Sequence, residues 1–292
     1  MQKASAHRSV PYQFLAPYLA VFAVFWCWPL VESVLLSFQN TRVSPWVFDL
    51  DINWRRLWLD RQFHNALWNT LFVLVVQVPI MLVLATTLAL ALDAPFLRMR
   101  ALFRFAFFAP VVVSEVAYSV IFRLLFNGQF GAVNRGLEAI GIPRLDWLYA
   151  DGPAMAVVIM AVTWRWTGYN AIILLAGLQS IPKELYEAAR MDGAGPWARF
   201  RFVTLPQLAP VVVFCLVLSV IGTMQLFAEP WLITGQSNRG PGAGTEMLGT
   251  YLYKQGFANL NFGYASTIAY SIAAMAALLA ALNILFVREK AR

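Results

Sequence analysis

The chain has 292 residues and a formal net charge of +7, with 60% apolar and only 13% charged residues. Soluble domains carry about 25% charged and 45 to 50% apolar residues, so this composition argues against a water-soluble globular protein. The apolar residues fall in blocks of about 20 or more, the length that a helix needs to cross a bilayer. The sequence therefore predicts a polytopic membrane protein of the all-α class.

Six apolar blocks predict six transmembrane helices in one membrane domain over residues 1–292. Their approximate bounds, in chain order, are 14–38, 69–92, 105–126, 153–179, 208–229 and 263–287. The first is predicted to be a retained anchor, because its apolar run is too long for a signal peptide and contains Glu32.

The distribution of Lys and Arg predicts the orientation of these helices. Basic residues concentrate before the first helix, between the second and third, between the fourth and fifth, and after the sixth. The positive-inside rule then places both termini in the cytoplasm. The net charge follows from this asymmetry, so membrane lipid and not nucleic acid is the expected partner.

The segments predicted on the outer side are 40–65, 127–152 and 230–262. The first is rich in Trp, which settles at the level of the lipid headgroups. The last contains a cluster of Gly and Pro at 234–244 that predicts an irregular loop. This cluster lacks the Gly-Lys-Ser/Thr ending of a phosphate-binding loop, so ATP is not expected to bind this chain.

The cysteines and histidines give no sign of a metal site or of a disulfide. Cys27 and Cys215 each lie within an apolar block, where a free Cys behaves as a small hydrophobe. Neither has zinc-ligand spacing, and His7 and His64 are far from both in sequence. No metal and no cofactor is expected in this chain.

The inner segment 180–206 is the most informative part of the sequence. Pro182 suits the start of a helix, Gly193 can end it in a left-handed cap, and Pro196 can begin another. The second helix places Trp197 on an apolar face with Phe200 and Val203. The pattern predicts two short helices outside the membrane, at an angle, whose apolar face a partner covers.

This segment resembles the coupling loop of the membrane subunits of binding-protein-dependent ATP-binding-cassette (ABC) importers. The residues that carry the resemblance are Glu187-Ala188-Ala189, Asp192-Gly193-Ala194, Phe200 and Leu205-Pro206, with Val203 where Ile is usual. Further matches to the carbohydrate-uptake branch, with its maltose, lactose and glycerol-3-phosphate permease subunits, are Leu125-Phe126-Asn127, Gly168-Tyr169-Asn170, 178–182, 225–230, Gly240-Pro241-Gly242 and 262–266.

The resemblance implies the type I importer fold and an assembly in the cytoplasmic membrane of a prokaryote. The implied partners are a second homologous permease subunit, two ATPase subunits that bind ATP and Mg, and a periplasmic or lipid-anchored sugar-binding protein. The cargo would be a di- or oligosaccharide. Coupling to the ATPase would fall to Leu185, Glu187, Ala188, Ala189, Asp192, Gly193, Phe200, Leu205 and Pro206.

Charged residues within apolar blocks are costly and call for partners. Glu32 and Arg123 lie within reach of an interface, and Glu229 precedes Pro230 at a helix end. Glu115 and Arg165 are deeper, and either a structural ion pair or a place on the substrate path accounts for them.

A sugar path needs aromatic faces beside hydrogen-bonding side chains. Trp166 and Asn170 of the fourth block offer both, and Glu115 of the third adds a carboxylate. Ser219, Thr223 and Gln225 match positions where the related maltose permease subunit contacts substrate. Ser219 and Thr223 are one helical turn apart, whereas Gln225 faces elsewhere unless the helix is irregular before Pro230. Helix packing remains the alternative for each of these residues.

Other functions stay open at this point. The same machinery could import glycerol-3-phosphate or a related polyol. A stand-alone secondary transporter would need repeats, discontinuous helices or a line of ionisable residues. A membrane enzyme would need a metal motif or an activated nucleophile in the bilayer, which makes it the weakest candidate.

Overall fold

A computed structural model describes residues 3–43, 45–234 and 244–290. Its helices are α1 (Lys3–Phe22), α2 (Trp28–Ser37), α3 (Ile52–Leu59), α4 (Arg61–Asp93), α5 (Arg100–Val112), α6 (Glu115–Leu125), α7 (Ala132–Ala139), α8 (Asp151–Gln179), α9 (Lys183–Met191), α10 (Pro196–Arg199), α11 (Leu205–Met224), α12 (Ala228–Ile233), α13 (Leu248–Tyr253) and α14 (Phe262–Lys290). Single π-helical segments at Ala23–Cys27, Phe200–Thr204 and Lys254–Ala258 follow α1, α10 and α13.

The predicted membrane-spanning helices are confirmed, and several of their bounds are corrected. Among the described residues, five helical segments are long and apolar enough to cross a bilayer, and the number is six if one bent helix pair is counted as a single span. The five are Phe14–Ser37, Arg61–Asp93, Gly152–Gln179, Pro196–Met224 and Phe262–Asn283. The irregular loop predicted at 234–244 lies almost entirely outside the described residues.

The third span is not one straight helix, contrary to the prediction over 105–126. It consists of α5 and α6, which are bent by 93° at the extended residues Val113 and Ser114. Pro110 removes one backbone donor from the last turn of α5, and the β-branched valines after it lower helix propensity. The bend places Glu115 in the first turn of α6, where the helix dipole favours an anion.

The second span begins earlier than predicted and shortens the outer loop assigned to 40–65. Its helix α4 starts at Arg61, because a helix can continue past the apolar core that hydropathy detects. The remainder of the loop holds α3 and a two-stranded antiparallel ribbon, β1 (Gln39–Asn40) and β2 (Val47–Phe48). This ribbon is a small exception to the predicted all-α class.

The fifth span, predicted over 208–229, differs at both ends. Helical structure runs without interruption from Pro196 through Thr204 into α11, so Leu205 and Pro206 belong to the spanning helix and not to a separate loop. At the other end α11 stops at Met224, and α12 begins at Ala228. A continuous helix would bring the ring of Pro230 against a carbonyl one turn earlier, so the chain leaves the helix first.

The described residues form two compact units, 3–60 with 252–271 and 61–251 with 272–290, apart from the gaps given above. In the first, the Asn53 amide of α3 donates to carbonyls at the end of α2 and in β1, at 3.1 and 2.8 Å. The Arg56 guanidinium lies 3.9 Å above the ring of Tyr264 in α14. These contacts join α2, α3, β1 and α14.

The core of the second unit lies where α4, α8 and α11 meet. Ala85, Ala89 and Ala171 are fully buried there, with Leu174 and Leu208 filling the spaces between the helices. Without a hydrophobic drive between helices in lipid, such small residues matter because they permit close van der Waals packing. This packing holds α4, α8 and α11 together beside the cavity described below.

The segment 127–150, predicted to lie on the outer side, is ordered by one buried amide. The Asn134 side chain of α7 donates to the Leu145 carbonyl at 2.9 Å and accepts a hydrogen bond from Trp147 Nε1, also at 2.9 Å. The Arg144 guanidinium beside Glu138 lowers the pKa of that exposed carboxyl. The segment is therefore folded through its own side-chain hydrogen bonds and is not an open loop.

The predicted topology leads to a labelling experiment. Cysteines replacing Gly136 in α7 and Lys183 in α9, in a background without Cys27 and Cys215, are separated by the single crossing of α8. We expect an impermeant thiol reagent to label Gly136→Cys from the outside and Lys183→Cys only after the membrane is opened. Labelling of both from the same side would contradict the six-span topology, and the reverse pattern would contradict cytoplasmic termini.

Candidate functional site

A cavity of about 200 Å³ lies within the second unit, between α4, α6, α8 and α11. Its lining includes all six residues that the sequence assigned to a substrate path, namely Glu115, Trp166, Asn170, Ser219, Thr223 and Gln225. Tyr169, Gln77, Met81, Leu218 and the segment 226–229 complete most of the wall. The structure thus brings the six together, and their role in transport stays a prediction.

The end of α11 explains how three of these residues reach one cavity. Ser219 and Thr223 are one turn apart on α11, as predicted, and Thr223 is buried. Gln225 would point away from them in a regular helix, but the helix ends at Met224 and the chain turns. The break before Pro230 therefore adds the Gln225 amide to the same wall.

Helix α8 contributes aromatic and amide groups. Trp166 and Tyr169 meet edge to face, with ring centroids 5.6 Å apart. Asn170 is buried, and its Nδ2 donates to the Trp166 carbonyl at 2.9 Å, so its donor is partly committed to its own helix. The arrangement offers flat apolar surface beside hydrogen-bonding groups, the combination that suits a sugar ring.

Glu115 and Arg165 form an ion pair in a charged cluster at the cavity wall, and Glu115 also lines the cavity. Arg165 Nη2 lies 3.4 Å from Glu115 Oε1, and its guanidinium is 4.9 Å from the ring centre of Tyr118. Tyr118 in turn donates a hydrogen bond to Glu229, which is buried and lines the cavity. The interfacial position considered for Glu229 is therefore wrong, because α12 turns this residue inward.

Gln77 of α4 is a cavity residue that the sequence reasoning missed. It is only 2% exposed and lines the cavity. An uncharged amide in an apolar block changes mean hydropathy little, and it carries no charge that would mark it as costly in a membrane. The available signal was a glutamine in the middle of a long apolar run, where a side chain with two hydrogen-bond donors and a carbonyl acceptor needs a partner.

The predicted coupling segment contains the expected first helix and glycine cap. Helix α9 ends at Met191, and Gly193 follows with φ of +78°. The Gly193 and Ala194 amides donate back to the Arg190 and Ala189 carbonyls at 3.0 and 2.9 Å. This is a Schellman cap, and the left-handed residue in it turns the chain toward α10.

Several large apolar side chains of this segment are exposed on the surface of the chain. Among them, Met191 is 88% exposed, Trp197 73% and Phe202 75%. Phe200 is half-buried and packs against Trp197, with ring centroids 5.5 Å apart, so part of the predicted face is covered within the chain. Glu187 and Ala188 are exposed on α9, whereas Ala189 is half-buried. Leu205 and Pro206 continue into α11, as described above.

Comparison with known proteins gives a consistent assignment. The profile of the family described as "Binding-protein-dependent transport system inner membrane component" matches residues 4–288. The lactose transport system permease protein LacF of Rhizobium radiobacter is 43% identical over 280 residues, which cover 95% of this chain and 93% of LacF. The arabinooligosaccharides transport system permease protein AraP of Bacillus subtilis (strain 168) is 35% identical over 266 residues, covering 89% and 83% of the two chains.

Solved structures establish the fold. A chain of a bacterial ABC transporter involved in the import of the acidic polysaccharide alginate matches 98% of this chain and 98% of its own length, with a TM-score of 0.86 at 22% identity. The helical spans and this match identify the permease fold of type I ABC importers. Because the family profile covers nearly the whole chain, this multi-pass membrane protein belongs to the inner membrane components of binding-protein-dependent transport systems.

Proposed function

We propose that the chain is one of two permease subunits of an ATP-driven importer for a di- or oligosaccharide in the cytoplasmic membrane of a prokaryote. The observation that carries the proposal is the cavity, in which the aromatic rings of Trp166 and Tyr169 lie beside the hydroxyls and amides of α11 and its end. The relatives named for lactose and for arabinooligosaccharides support the sugar class.

The size of the cavity supports a second permease subunit. Typical small-molecule sites measure about 300–1,000 Å³. The 200 Å³ found here is less than that range. A homologous subunit facing this one would enlarge the space to hold a disaccharide, and each subunit would supply part of the wall.

The coupling segment supports separate ATPase subunits. Met191, Trp197 and Phe202 are exposed apolar side chains on a segment predicted to face the cytoplasm, and a docked protein would cover them. Two ATPase subunits would bind ATP and Mg, and their closure would move this segment and the spans joined to it. A soluble binding protein outside would deliver the sugar.

The charged cluster argues against an anionic cargo such as glycerol-3-phosphate. Arg165 has Glu115 within 3.4 Å, and Glu229 places a second carboxyl on the cavity wall. An anion in the cavity would meet these two carboxyls, whereas Arg165 is not among the residues that line the wall. A neutral sugar meets no such repulsion.

Reconstitution tests the proposal. Proteoliposomes that contain the complex are supplied with loaded binding protein outside and ATP inside, and uptake of labelled lactose and arabinotriose is measured. We expect uptake only with ATP, ATPase and binding protein together. Uptake without ATPase would indicate a stand-alone transporter, and preference for glycerol-3-phosphate would overturn the sugar assignment.

The substrate path leads to a matched pair of variants. Thr223→Val removes a buried hydroxyl at the cavity while keeping the side-chain shape. A buried hydrogen bond contributes about 1 kcal/mol, so we expect uptake to fall several-fold with assembly retained. Ser219→Ala is the companion variant, for which we expect a smaller loss, since the Ser219 hydroxyl already donates to the Cys215 carbonyl at 2.7 Å. Equal uptake by wild type and Thr223→Val would assign Thr223 to packing.

A further inference from the structure

Gln77 is a buried polar residue of α4 that lies on the cavity wall among apolar neighbours. Its neighbours on α4, Val73, Val78 and Met81, are all buried and apolar. Its own side chain is almost fully buried, yet it borders the cavity between α4 and α8. A primary amide in such a setting costs stability unless its donors and acceptor find partners.

Four other polar residues of the wall, Glu115, Asn170, Ser219 and Glu229, have partners inside the chain. The Asn170 amide donates to its own helix, the Ser219 hydroxyl donates to the Cys215 carbonyl, and Glu115 is near Arg165. Glu229 accepts from Tyr118. Among the described residues that line the cavity, Gln77 has the one buried side-chain donor, Nε2, without a hydrogen-bond partner.

We propose that Gln77 is a specificity residue, whose Nε2 donates a hydrogen bond to one hydroxyl oxygen of the sugar as it passes through the cavity. The proposal rests on the proposed function. The terminal torsion of a glutamine is broad, so the amide can turn into the cavity without leaving a rotamer well of the stem. A sugar hydroxyl accepts such a bond, and a cargo without an oxygen at that point leaves the buried donor unpaired.

The test uses Gln77→Met, which keeps the length of the side chain and removes its polar atoms. Thr87→Val is the control on the same helix, since Thr87 is exposed and its hydroxyl is bonded to the Val83 carbonyl at 2.8 Å. Binding protein is saturated with lactose, and sugar uptake and ATP hydrolysis are measured in the same proteoliposomes. We expect Gln77→Met to lower the sugar transported per ATP about three- to tenfold, and Thr87→Val to leave it unchanged.

A series of lactose analogues, each lacking one hydroxyl, separates recognition from packing. In the wild type, one analogue should be transported several-fold less well than lactose once its binding protein is saturated. In Gln77→Met that analogue and lactose should be transported equally, and Gln77→Asn, which retains an amide donor, should restore part of the difference. If Gln77→Met fails to assemble, Gln77→Ala is compared with Gln77→Asn in the same way.

The outcomes are distinct. Unchanged transport per ATP and unchanged discrimination in the variants, with active wild type, would overturn the role of Gln77 alone. Wild-type complex that takes up neither lactose nor arabinotriose would overturn the proposed function, and the role of Gln77 with it.

Discussion

Glu187→Lys and Gly193→Asp are expected to abolish the stimulation of ATP hydrolysis by loaded binding protein, together with transport. Glu187 is exposed on α9. If the proposed ATPase partner meets this carboxylate with a basic group, a lysine here would repel that group. Gly193 has φ of +78°, which a residue with a side chain adopts at a cost of about 1 kcal/mol. The substitution also places a second carboxylate beside Asp192 at the docking surface.

The size of the effect follows from binding arithmetic. A loss of about 1.4 kcal/mol of docking free energy already corresponds to tenfold in affinity, so we expect stimulated hydrolysis to fall at least about tenfold. Both variants should insert normally into the membrane, since neither residue lies in a span. The measurement is ATPase activity of the reconstituted complex with and without loaded binding protein, alongside co-purification of the ATPase.

Gly193→Asn provides the matched control. Asparagine tolerates the left-handed conformation better than most residues and adds no charge, and nothing lies within 4 Å of a Cβ at this position. It should therefore keep most of the stimulation that Gly193→Asp loses. Full coupled hydrolysis in both Glu187→Lys and Gly193→Asp would mean that this segment does not transmit the motion.

Gly168→Ala should have the largest effect on stability. A Cβ at residue 168 of α8 would overlap the backbone carbonyl of Phe107 in α5, and a backbone atom cannot swing away as a side chain can. The cost should exceed the about 1–3 kcal/mol of ordinary overpacking, because α5 must move as a unit. We expect little folded complex after detergent extraction and a lower Tm for what remains.

Gly136→Ala is the control for this glycine. Nothing lies within 4 Å of a Cβ at this exposed position in α7, and alanine is favoured over glycine inside a helix by about 0.5–1 kcal/mol. It should match or slightly exceed the stability of the wild type. An unchanged Tm and yield for Gly168→Ala would show that α5 and α8 are not held at the separation described here.

The membrane class, five of the six predicted spans and the glycine cap after α9 follow from the sequence alone. Each of these depends on local physics. A bilayer requires about 20 apolar residues per crossing whatever the neighbouring helices are, and the left-handed cap at Gly193 depends on a residue without a Cβ. Comparable reasoning placed Pro196 at the start of the next helix.

The partners of the polar residues in the spans depend on the tertiary structure. The 93° bend that presents Glu115, the break that turns Gln225 into the cavity, and the burial of Glu229 against Tyr118 all depend on contacts between helices distant in sequence. Hydropathy averages over a block, so it cannot tell which polar side chain meets a partner on another helix. Whether the Gln77 amide has a hydrogen-bond partner likewise depends on the helices packed around it, and its Nε2 has none among the described residues.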